Sequence, residues 1–204
     1  MLNNSIQTSE SHNSDYYSAI AKGPMLDRVY TMRYRSYSAE NYISENSSLE
    51  FKDEYDDQPN SSCFLAYYKN DVVGSMRTCV YNPAIGHPVP IMEIFDQEIR
   101  NSIGYDNIFV ELNKFVIDPV FQRKGGLQTR FTLMDAVLEE TLKQNAVAVF
   151  AAVRPEHVKF YKMFGSEIIS DVKSYPHLSF KTVLMMSTKL DASNKFLKRK
   201  LRAA

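Results

Sequence analysis

The stretch Val110–Phe131, VELNKFVIDPVFQRKGGLQTRF, combines a side chain suited to acid–base chemistry with a backbone suited to an anion. Glu111 stands in a run of β-forming residues that ends at Asp118-Pro119. Five residues then precede a helical pattern: Gln122, Arg123, Lys124, Gly125 and Gly126. Glycines at a helix N-terminus leave backbone amides free, and the helix dipole and basic side chains add positive potential there. The turn therefore suits a phosphate, with an ordinary solvated helix start as the alternative.

The elements that flank this turn can be predicted from hydrophobic periodicity. Residues 108–117 predict a strand and residues 125–144 a long helix. The run AVAVFAAV that follows is typical of a strand buried on both faces. PEHVKFYKMFG predicts a helix with proline in its first turn and glycine just past its end.

The remaining segments complete a mixed architecture. Helical spacing runs from Tyr17 to Tyr37, and Gly23-Pro24 indicates where that helix begins. A hairpin is predicted around residues 69–71, a short helix at 91–99, and further strands at 166–172 and 179–188. This order predicts one α/β (mixed α+β) domain with a central, mostly antiparallel twisted sheet flanked by helices. We expect a disordered segment at 1–16, the domain at 17–190 and a basic tail at 191–204.

Composition excludes several classes of function. The 204 residues contain 24 basic and 24 acidic side chains, so the chain as a whole has no charge that would attract nucleic acid. No apolar run reaches the ~20 residues that span a bilayer, and the N-terminus does not resemble a secretion signal. Cys63 and Cys79 lack metal-ligand spacing and predict two reduced thiols. These features predict a cytoplasmic protein without a metal, with at most peripheral membrane contact through its tail.

The turn resembles the acyl-CoA motif of the GCN5-related N-acetyltransferase (GNAT) superfamily, V-x-P-x-x-[QR]-x-x-G-x-[GA], at Ile117–Leu127. The following strand and helix are similar to that superfamily's A-x-x-x-Y-x-x-x-G-F segment, with Tyr161 and Gly165 at the tyrosine and glycine positions. Ser166 departs from the phenylalanine expected after that glycine. The resemblance implies a GNAT-like fold and an acyl thioester donor.

A narrower resemblance is to the acyl-homoserine-lactone (autoinducer) synthases, and more closely to the long-chain N-acyl amino acid synthases of the FeeM type. It covers roughly residues 25–188. The matching residues are Arg33, Asp53, Tyr55, Asp56, Gly74, Arg77, Glu111, Leu112, Lys114 and Phe115. It implies a fatty acyl donor on acyl carrier protein, and an acceptor that is either an amino acid such as tyrosine or S-adenosylmethionine.

Three departures favour the amino acid synthases and a carrier-protein donor. Leu127 replaces the last small residue of the acyl-CoA motif, which leaves less room for a nucleotide pyrophosphate than for a single phosphopantetheine phosphate. The chain has no tryptophan, whereas the lactone synthases characteristically carry one. Lys114 stands where an arginine is usual.

The resemblance also implies roles for individual residues. Glu111 would be the general base and Tyr161 the acid for the leaving thiolate. The alternatives are a strand glutamate paired with Lys114 or Arg77, and a tyrosine packed in an aromatic cluster with Phe160 and Phe164. The donor phosphate would bind at Gln122, Arg123, Lys124, Gly125 and Gly126, and the acceptor would be bound by Arg77, Lys114 and Arg33. Arg77 and Arg33 could instead be structural, paired with Asp53 or Asp56.

We expect acyl-phosphopantetheine, on acyl carrier protein or on coenzyme A, as a donor substrate and no tightly bound cofactor. Because carrier proteins are acidic, Arg123, Lys124, Arg130 and the basic tail are candidate docking residues. A solvated, frayed helix is the alternative for the tail, and a surface position is the alternative to a site role for His157. Three other functions stay open: a lactone synthase, an acetyl-CoA-dependent N-acetyltransferase, and a carrier-binding regulator without activity.

Overall fold

A computed structural model describes residues 15–122, 125–175 and 178–202. The strands are β1 (Tyr16–Ile20), β2 (Ser61–Tyr68), β3 (Asp71–Tyr81), β4 (Phe109–Ile117), β5 (Ala148–Val153), β6 (Glu167–Ile168), β7 (Lys173–Ser174) and β8 (Lys181–Ser187). The helices are α1 (Met25–Ala39), α2 (Met92–Ser102), α3 (Gly126–Lys143), α4 (Val158–Lys162) and α5 (Leu190–Arg202). Two 3-10 turns lie at Glu54–Asp57 and Pro155–His157.

One sheet holds the strands in the order β1-β2-β3-β4-β5-β8-β6, with β7 also paired to β8. All of these neighbours are antiparallel except β4 and β5. The parallel pair is short, since its register runs only from Phe109 opposite Ala148 to Glu111 opposite Phe150. Beyond Glu111 the two strands diverge and open the sheet at its centre. The predicted mixed α/β fold with a mostly antiparallel sheet is therefore confirmed.

Helices pack on both faces of the sheet, as the alternating side chains of β2 show. Phe64 packs in the core that contains the α3 and α5 side chains, whereas its neighbours Cys63 and Leu65 pack with α1. The α2 side chains pack on the α1 face, against Cys79 and Phe109. Helices therefore cover both faces, and the gap between β4 and β5 lies between two layers.

A β-bulge in β4 lies just beyond the point where β4 and β5 separate. Ser75 of β3 pairs with Val116 and Arg77 pairs with Asn113, so two residues of β4, Lys114 and Phe115, lie opposite a single residue of β3. Lys114 has a left-handed backbone with φ of 50°, an uncommon conformation for a residue other than glycine. Such bulges commonly bend a strand, and this one lies in the part of β4 that has no register with β5.

The structure corrects the predicted secondary structure in two places. The helical spacing predicted from Tyr17 onward is wrong at its start, because Tyr16–Ile20 forms a strand that pairs with the edge of β2. The helix itself begins at Met25, just after the Gly23-Pro24 signal. The single strand predicted at 166–172 is wrong as well, because β6 and β7 are two-residue pairings with irregular backbone between them. Of the predicted disordered segment, residues 1–14 lie outside the described residues.

Candidate active site

A cavity of about 640 Å³ occupies the gap between β4 and β5 and is lined by residues from both faces of the sheet. Its wall includes β4 from Leu112 to Ile117 and β5 from Ala152 to Val153. Polar and aromatic residues that line it are Ser36, Tyr37, Glu40, Tyr42, Asn113, Lys114, Phe115, Gln122, Arg130, Arg154, Glu156, His157, Lys159, Phe160, Tyr161 and Phe180. A ligand in this cavity could pass through the sheet, entering on the α3 face and meeting a second ligand on the α1 face.

Glu111 lies beside the cavity but is buried, with 1% of its surface exposed. Its Oε2 accepts a hydrogen bond from the backbone N–H of Ile91 at 3.0 Å, and its Oε1 accepts one from Asn113 Nδ2 at 2.9 Å. Burial raises the pKa of Glu111 to about 7, against the opposing effect of these two donors. The alternative pairing with Lys114 or Arg77 is not formed. A carboxyl group with a pKa near neutrality is suited to accept a proton.

Asn113 connects Glu111 to the cavity, which it lines. Its Oδ1 accepts a hydrogen bond from Arg77 Nε at 2.8 Å, while its Nδ2 donates to Glu111. The sequence prediction did not single out Asn113. Alternation along a strand could have found it, because a residue two positions from Glu111 shares its face of the sheet.

A buried cluster of charges lies on the same face. Arg77 contacts Asp56 at 3.0 Å and donates from Nη2 to Asp53 at 3.1 Å, and Arg33 contacts Asp56 at 2.7 Å. Lys114 Nζ lies 3.1 Å from Asp53 Oδ2. The two arginines are almost fully buried and neither lines the cavity. The structure thus pairs both with the aspartates, and their predicted contact with the acceptor stays a prediction.

Lys114 is the member of this cluster that faces the cavity. Burial lowers its pKa to about 8, although the ion pair with Asp53 opposes that shift. Burial alone would raise the pKa of Asp53, but the hydrogen bond from Arg77 and the charge of Lys114 hold it well below its usual range. The ammonium group also lies 3.6 Å from the centroid of the Phe51 ring. Lys114 is therefore held in one place by a carboxylate and an aromatic ring.

Tyr161 lies in the cavity wall on the other face of the sheet. It packs edge-on against Phe160, with ring centroids 5.4 Å apart, in the core cluster that also holds Phe164. Burial raises its pKa, so the hydroxyl stays protonated at neutral pH. The geometry combines both sequence interpretations, an aromatic cluster member and a hydroxyl at the cavity.

The predicted phosphate turn is described in part, because Arg123 and Lys124 lie outside the described residues. Gln122 lines the cavity, and Gly126 is the first residue of α3. A Cβ atom at Gly125 would collide with the hydroxyl of Tyr16 on β1, so a larger residue there would force the Tyr16 side chain to move. The turn lies at the α3 end of the cavity, and its predicted phosphate contacts stay a prediction.

Arg154 is a second residue that the sequence prediction missed. It follows β5 directly, lines the cavity, and lies between Val153 and Pro155. No periodicity marks such a residue, because it belongs to neither element. His157 also lines the cavity and contacts the Arg154 guanidinium through Nε2.

No group of three or more His, Cys, Asp or Glu side chains in the described part of the chain is placed to hold a metal ion. Among residues 15–122, 125–175 and 178–202, no helix is both long and apolar enough to cross a bilayer.

A family model, N-acyl amino acid synthase FeeM, matches residues 28–188. The chain belongs to the FeeM family. Its members are acyltransferases, and this protein is therefore an acyltransferase. No curated protein is similar enough in sequence to count as a match.

Solved structures show the same fold as this FeeM-family chain at low sequence identity. FeeM, an N-acyl amino acid synthase from uncultured soil microbes, has a TM-score of 0.70 at 18% identity, over 85% of this chain and 91% of that one. BjaI, a CoA-dependent acyl-homoserine lactone synthase, has a TM-score of 0.66 at 18% identity, over 86% and 81%. LasI, an acyl-homoserine lactone synthase, has a TM-score of 0.65 at 14% identity, over 91% and 95%.

Proposed function

We propose that this protein transfers a long-chain fatty acyl group from acyl carrier protein to the α-amino group of an amino acid, with tyrosine as the first candidate. Membership of the FeeM family supports acyl transfer to an amino acid. The observation that carries the proposal is the cavity through the sheet, with Glu111 buried beside it and connected to it by Asn113. A thioester entering from the α3 face would meet an amine on the α1 face.

The reaction requires one bond to form and one to break. The amine nitrogen attacks the thioester carbon, and collapse of the tetrahedral intermediate breaks the carbon–sulfur bond. Glu111 accepts the first proton that the ammonium group loses, directly or through a water molecule, and the neutral amine then attacks. The nitrogen loses its second proton to water from the tetrahedral intermediate, the departing thiolate takes one from Tyr161, and water returns a proton to Tyr161, so that one proton is released overall. Because the α-ammonium group has an ordinary pKa of ~8 or above and Glu111 one of about 7, the proton transfer is mildly unfavourable at neutral pH and is drawn forward by the attack on the thioester.

The oxyanion and the thiolate need stabilisation as well. Backbone amides of β4 near Phe115 and Val116, which β5 leaves without strand partners, are the candidate donors to the oxyanion. Tyr161 supplies the proton for the departing sulfur. Its hydroxyl is protonated at neutral pH and lies in the wall of the same cavity.

The donor is assigned to the α3 face. Gln122, Gly125 and Gly126, with Arg123 and Lys124, would receive the single phosphate of phosphopantetheine at the N-terminus of α3. Leu127, in the first turn of that helix, is 53% exposed, and a leucine in place of the motif's small residue would leave less room there for a nucleotide pyrophosphate. This favours a carrier protein over coenzyme A.

The acceptor is assigned to the α1 face. Lys114 faces the cavity there, and Arg77 and Arg33 contribute by fixing Asp53 and Asp56 behind it. In this arrangement the two arginines hold the aspartates in place, the aspartates orient Lys114, and Lys114 contacts the acceptor.

The test is product analysis with a matched set of substrates. The purified protein is incubated with palmitoyl–acyl carrier protein and either tyrosine or S-adenosylmethionine, and products are identified by mass spectrometry. N-palmitoyl-tyrosine is the expected product, whereas a lactone would replace the proposal with a lactone synthase.

A second set of donors compares acyl carrier protein with palmitoyl-CoA and acetyl-CoA at equal concentration. We expect the carrier donor to give the highest kcat/KM. Turnover with acetyl-CoA alone would instead indicate a short-chain N-acetyltransferase, and no turnover with any donor would favour a regulator.

A further inference from the structure

Arg154 is held in one orientation at the acceptor side of the cavity. Its guanidinium lies over the ring of Tyr42, 4.5 Å from the centroid, and 5.7 Å from that of Phe180. It also contacts the ring nitrogen Nε2 of His157. Burial, and then the charge of Arg154, lower the pKa of His157, so a neutral ring accepts this hydrogen bond. Stacking and the hydrogen bond fix the plane of the guanidinium.

The charge on Arg154 is only weakly neutralised. Its carboxylate partner is Glu156, at 3.0 Å, whose side chain is 58% exposed. Ion pairs of this kind are weak, because water competes for both charges. A ligand carboxylate could therefore take the place of Glu156 at low cost.

The other cations on this face are less available. Arg33 and Arg77 are buried in ion pairs and do not line the cavity. Lys114 lines the cavity but is committed to Asp53 and largely buried. Separating a buried pair leaves an uncompensated charge, which costs far more than displacing a partner at the surface.

We propose that Arg154 binds the carboxylate of the acceptor and makes the enzyme selective for free α-amino acids over simple amines and amides. This inference rests on the proposed acyl transfer to an amino group. A guanidinium fork can donate two parallel hydrogen bonds to a carboxylate, and a planar group already stacked on an aromatic ring loses little entropy in doing so. An acceptor held by its carboxylate at Arg154 would lie between the aromatic rings on the α1 face and the opening between β4 and β5.

The test compares an acid with its amide as acceptor. Wild type and Arg154→Ala are assayed with palmitoyl–acyl carrier protein and either tyrosine or tyrosinamide. In the variant we expect KM for tyrosine to rise by about tenfold to a hundredfold, the usual loss for a charged hydrogen bond, and KM for tyrosinamide to change little. Arg154→Lys should recover part of the preference for the acid, since it restores charge without the planar fork.

Arg130 is the matched control, because it lines the same cavity on the α3 face, with its guanidinium 6.0 Å from the Phe160 centroid. Arg130→Ala should alter KM for the acyl donor and leave the preference for tyrosine over tyrosinamide unchanged. Thermal unfolding of each variant shows whether it is folded, and Arg154→Gln replaces Arg154→Ala if the alanine variant is not.

The outcomes separate this inference from the function on which it rests. If wild type acylates no amino acid, the proposed function fails. If wild type acylates tyrosine and the Arg154 variants keep its preference for the acid, acyl transfer stands and the role of Arg154 is refuted.

Discussion

Glu111 is stabilised in both of its protonation states by different parts of its surroundings. Burial favours the neutral carboxyl group, whereas the N–H groups of Ile91 and Asn113 favour the carboxylate. Burial is the larger effect, and it raises the pKa from its ordinary value of 4.5 to about 7. A group of this kind can bind and release a proton within one catalytic cycle.

Replacing Glu111 by Gln should remove the base and keep the size of the side chain. We expect kcat to fall by about 10²- to 10⁴-fold, the usual contribution of general base catalysis. In the wild type, kcat/KM should rise with pH along an acid limb with a midpoint near 7, and the variant should lack that limb. Initial rates between pH 5.5 and 8.5 measure both, and a variant with wild-type turnover would exclude Glu111 as the base.

The same pKa predicts a pH dependence of stability. The folded state binds the Glu111 proton more tightly than the unfolded state, whose pKa is near 4.5, so its contribution to stability is lost as pH rises from about 4.5 to 7. The loss amounts to about 3 kcal/mol. Relative to wild type, Glu111→Gln should therefore gain up to that amount between pH 4.5 and pH 8. Denaturant unfolding at the two pH values measures this difference. If the free energy of unfolding changed equally between pH 4.5 and pH 8 in both proteins, the raised pKa would be contradicted.

Asn113 gives an independent test of how the pKa of Glu111 is set. Asn113→Ala removes a donor that favours the carboxylate, so the pKa of Glu111 should rise. The acid limb of kcat/KM should then move to higher pH, whereas a purely structural role would lower activity equally at every pH. Infrared titration of the Glu111 carboxyl band follows the same shift without relying on turnover.

At the scale of elements, the site depends on how α3 is seated against the sheet. Gly74 of β3 lies where a Cβ atom would come within 2.8 Å of Thr129 Cγ2 on α3 and 3.0 Å of the Val116 carbonyl oxygen on β4. The glycine therefore permits the close approach of α3 to the strands that carry the bulge.

Gly74→Ala should destabilise the protein by about 1–3 kcal/mol through overpacking. Thr129→Ser is a matched second change, because it removes Cγ2 and keeps the hydroxyl that donates to the Gly125 carbonyl oxygen. The double variant should recover part of the loss, and chemical denaturation of the four proteins measures the coupling. If the effects of the two substitutions on the free energy of unfolding were additive, the strain would lie at the Val116 carbonyl oxygen instead.

Prediction from sequence succeeded for elements whose periodicity is long and failed where pairing depends on distant strands. Helix α3 and strand β4 follow from their own patterns, and their bounds differ from the prediction by one residue at each end or less. Strand β1 could not be predicted, because its pattern also fits a helix and only the free edge of β2 makes it a strand.

The candidate site shows the same contrast between features set by local sequence and features set by distant pairing. Glu111 and Lys114 could be predicted because a motif carries both. The bulge that gives Lys114 its left-handed backbone is a property of how β3 and β4 pair, and no local residue pattern specifies it. Asn113 and Arg154 each combine a local partner with a distant one that sequence patterns do not reveal, Arg77 for Asn113 and Tyr42 for Arg154.

At the scale of the whole molecule, charge is balanced overall and uneven locally. Helix α5 buries Leu197 and Leu201 against the α3 core and exposes basic side chains at Lys195, Lys198, Arg199 and Lys200. With no net charge to attract an acidic carrier protein, attraction has to come from such local patches.

The steady-state kinetics should therefore depend on salt for one substrate only. Raising NaCl from low to physiological concentration and above should increase KM for the acyl carrier donor several-fold, because screening weakens contacts between exposed charges. KM for tyrosine should change little, since the contacts proposed for its charged groups lie within the cavity. Replacing Lys198, Arg199 and Lys200 together by alanine should reduce this salt dependence of KM for the carrier donor. If KM rose with NaCl as steeply as in the wild type, α5 would be excluded as part of the docking surface.

The short pairing of β4 with β5 also bears on how the protein behaves without its substrates. Most sheets have free hydrogen-bonding edges only at their two outer strands, where proteins commonly protect them from adding further strands. Here the separation after Glu111 and Phe150 creates a pair of edges in the middle of the sheet. We expect an extended donor arm to cover these edges, and an added donor should therefore reduce any tendency of the protein to pair with other strands there.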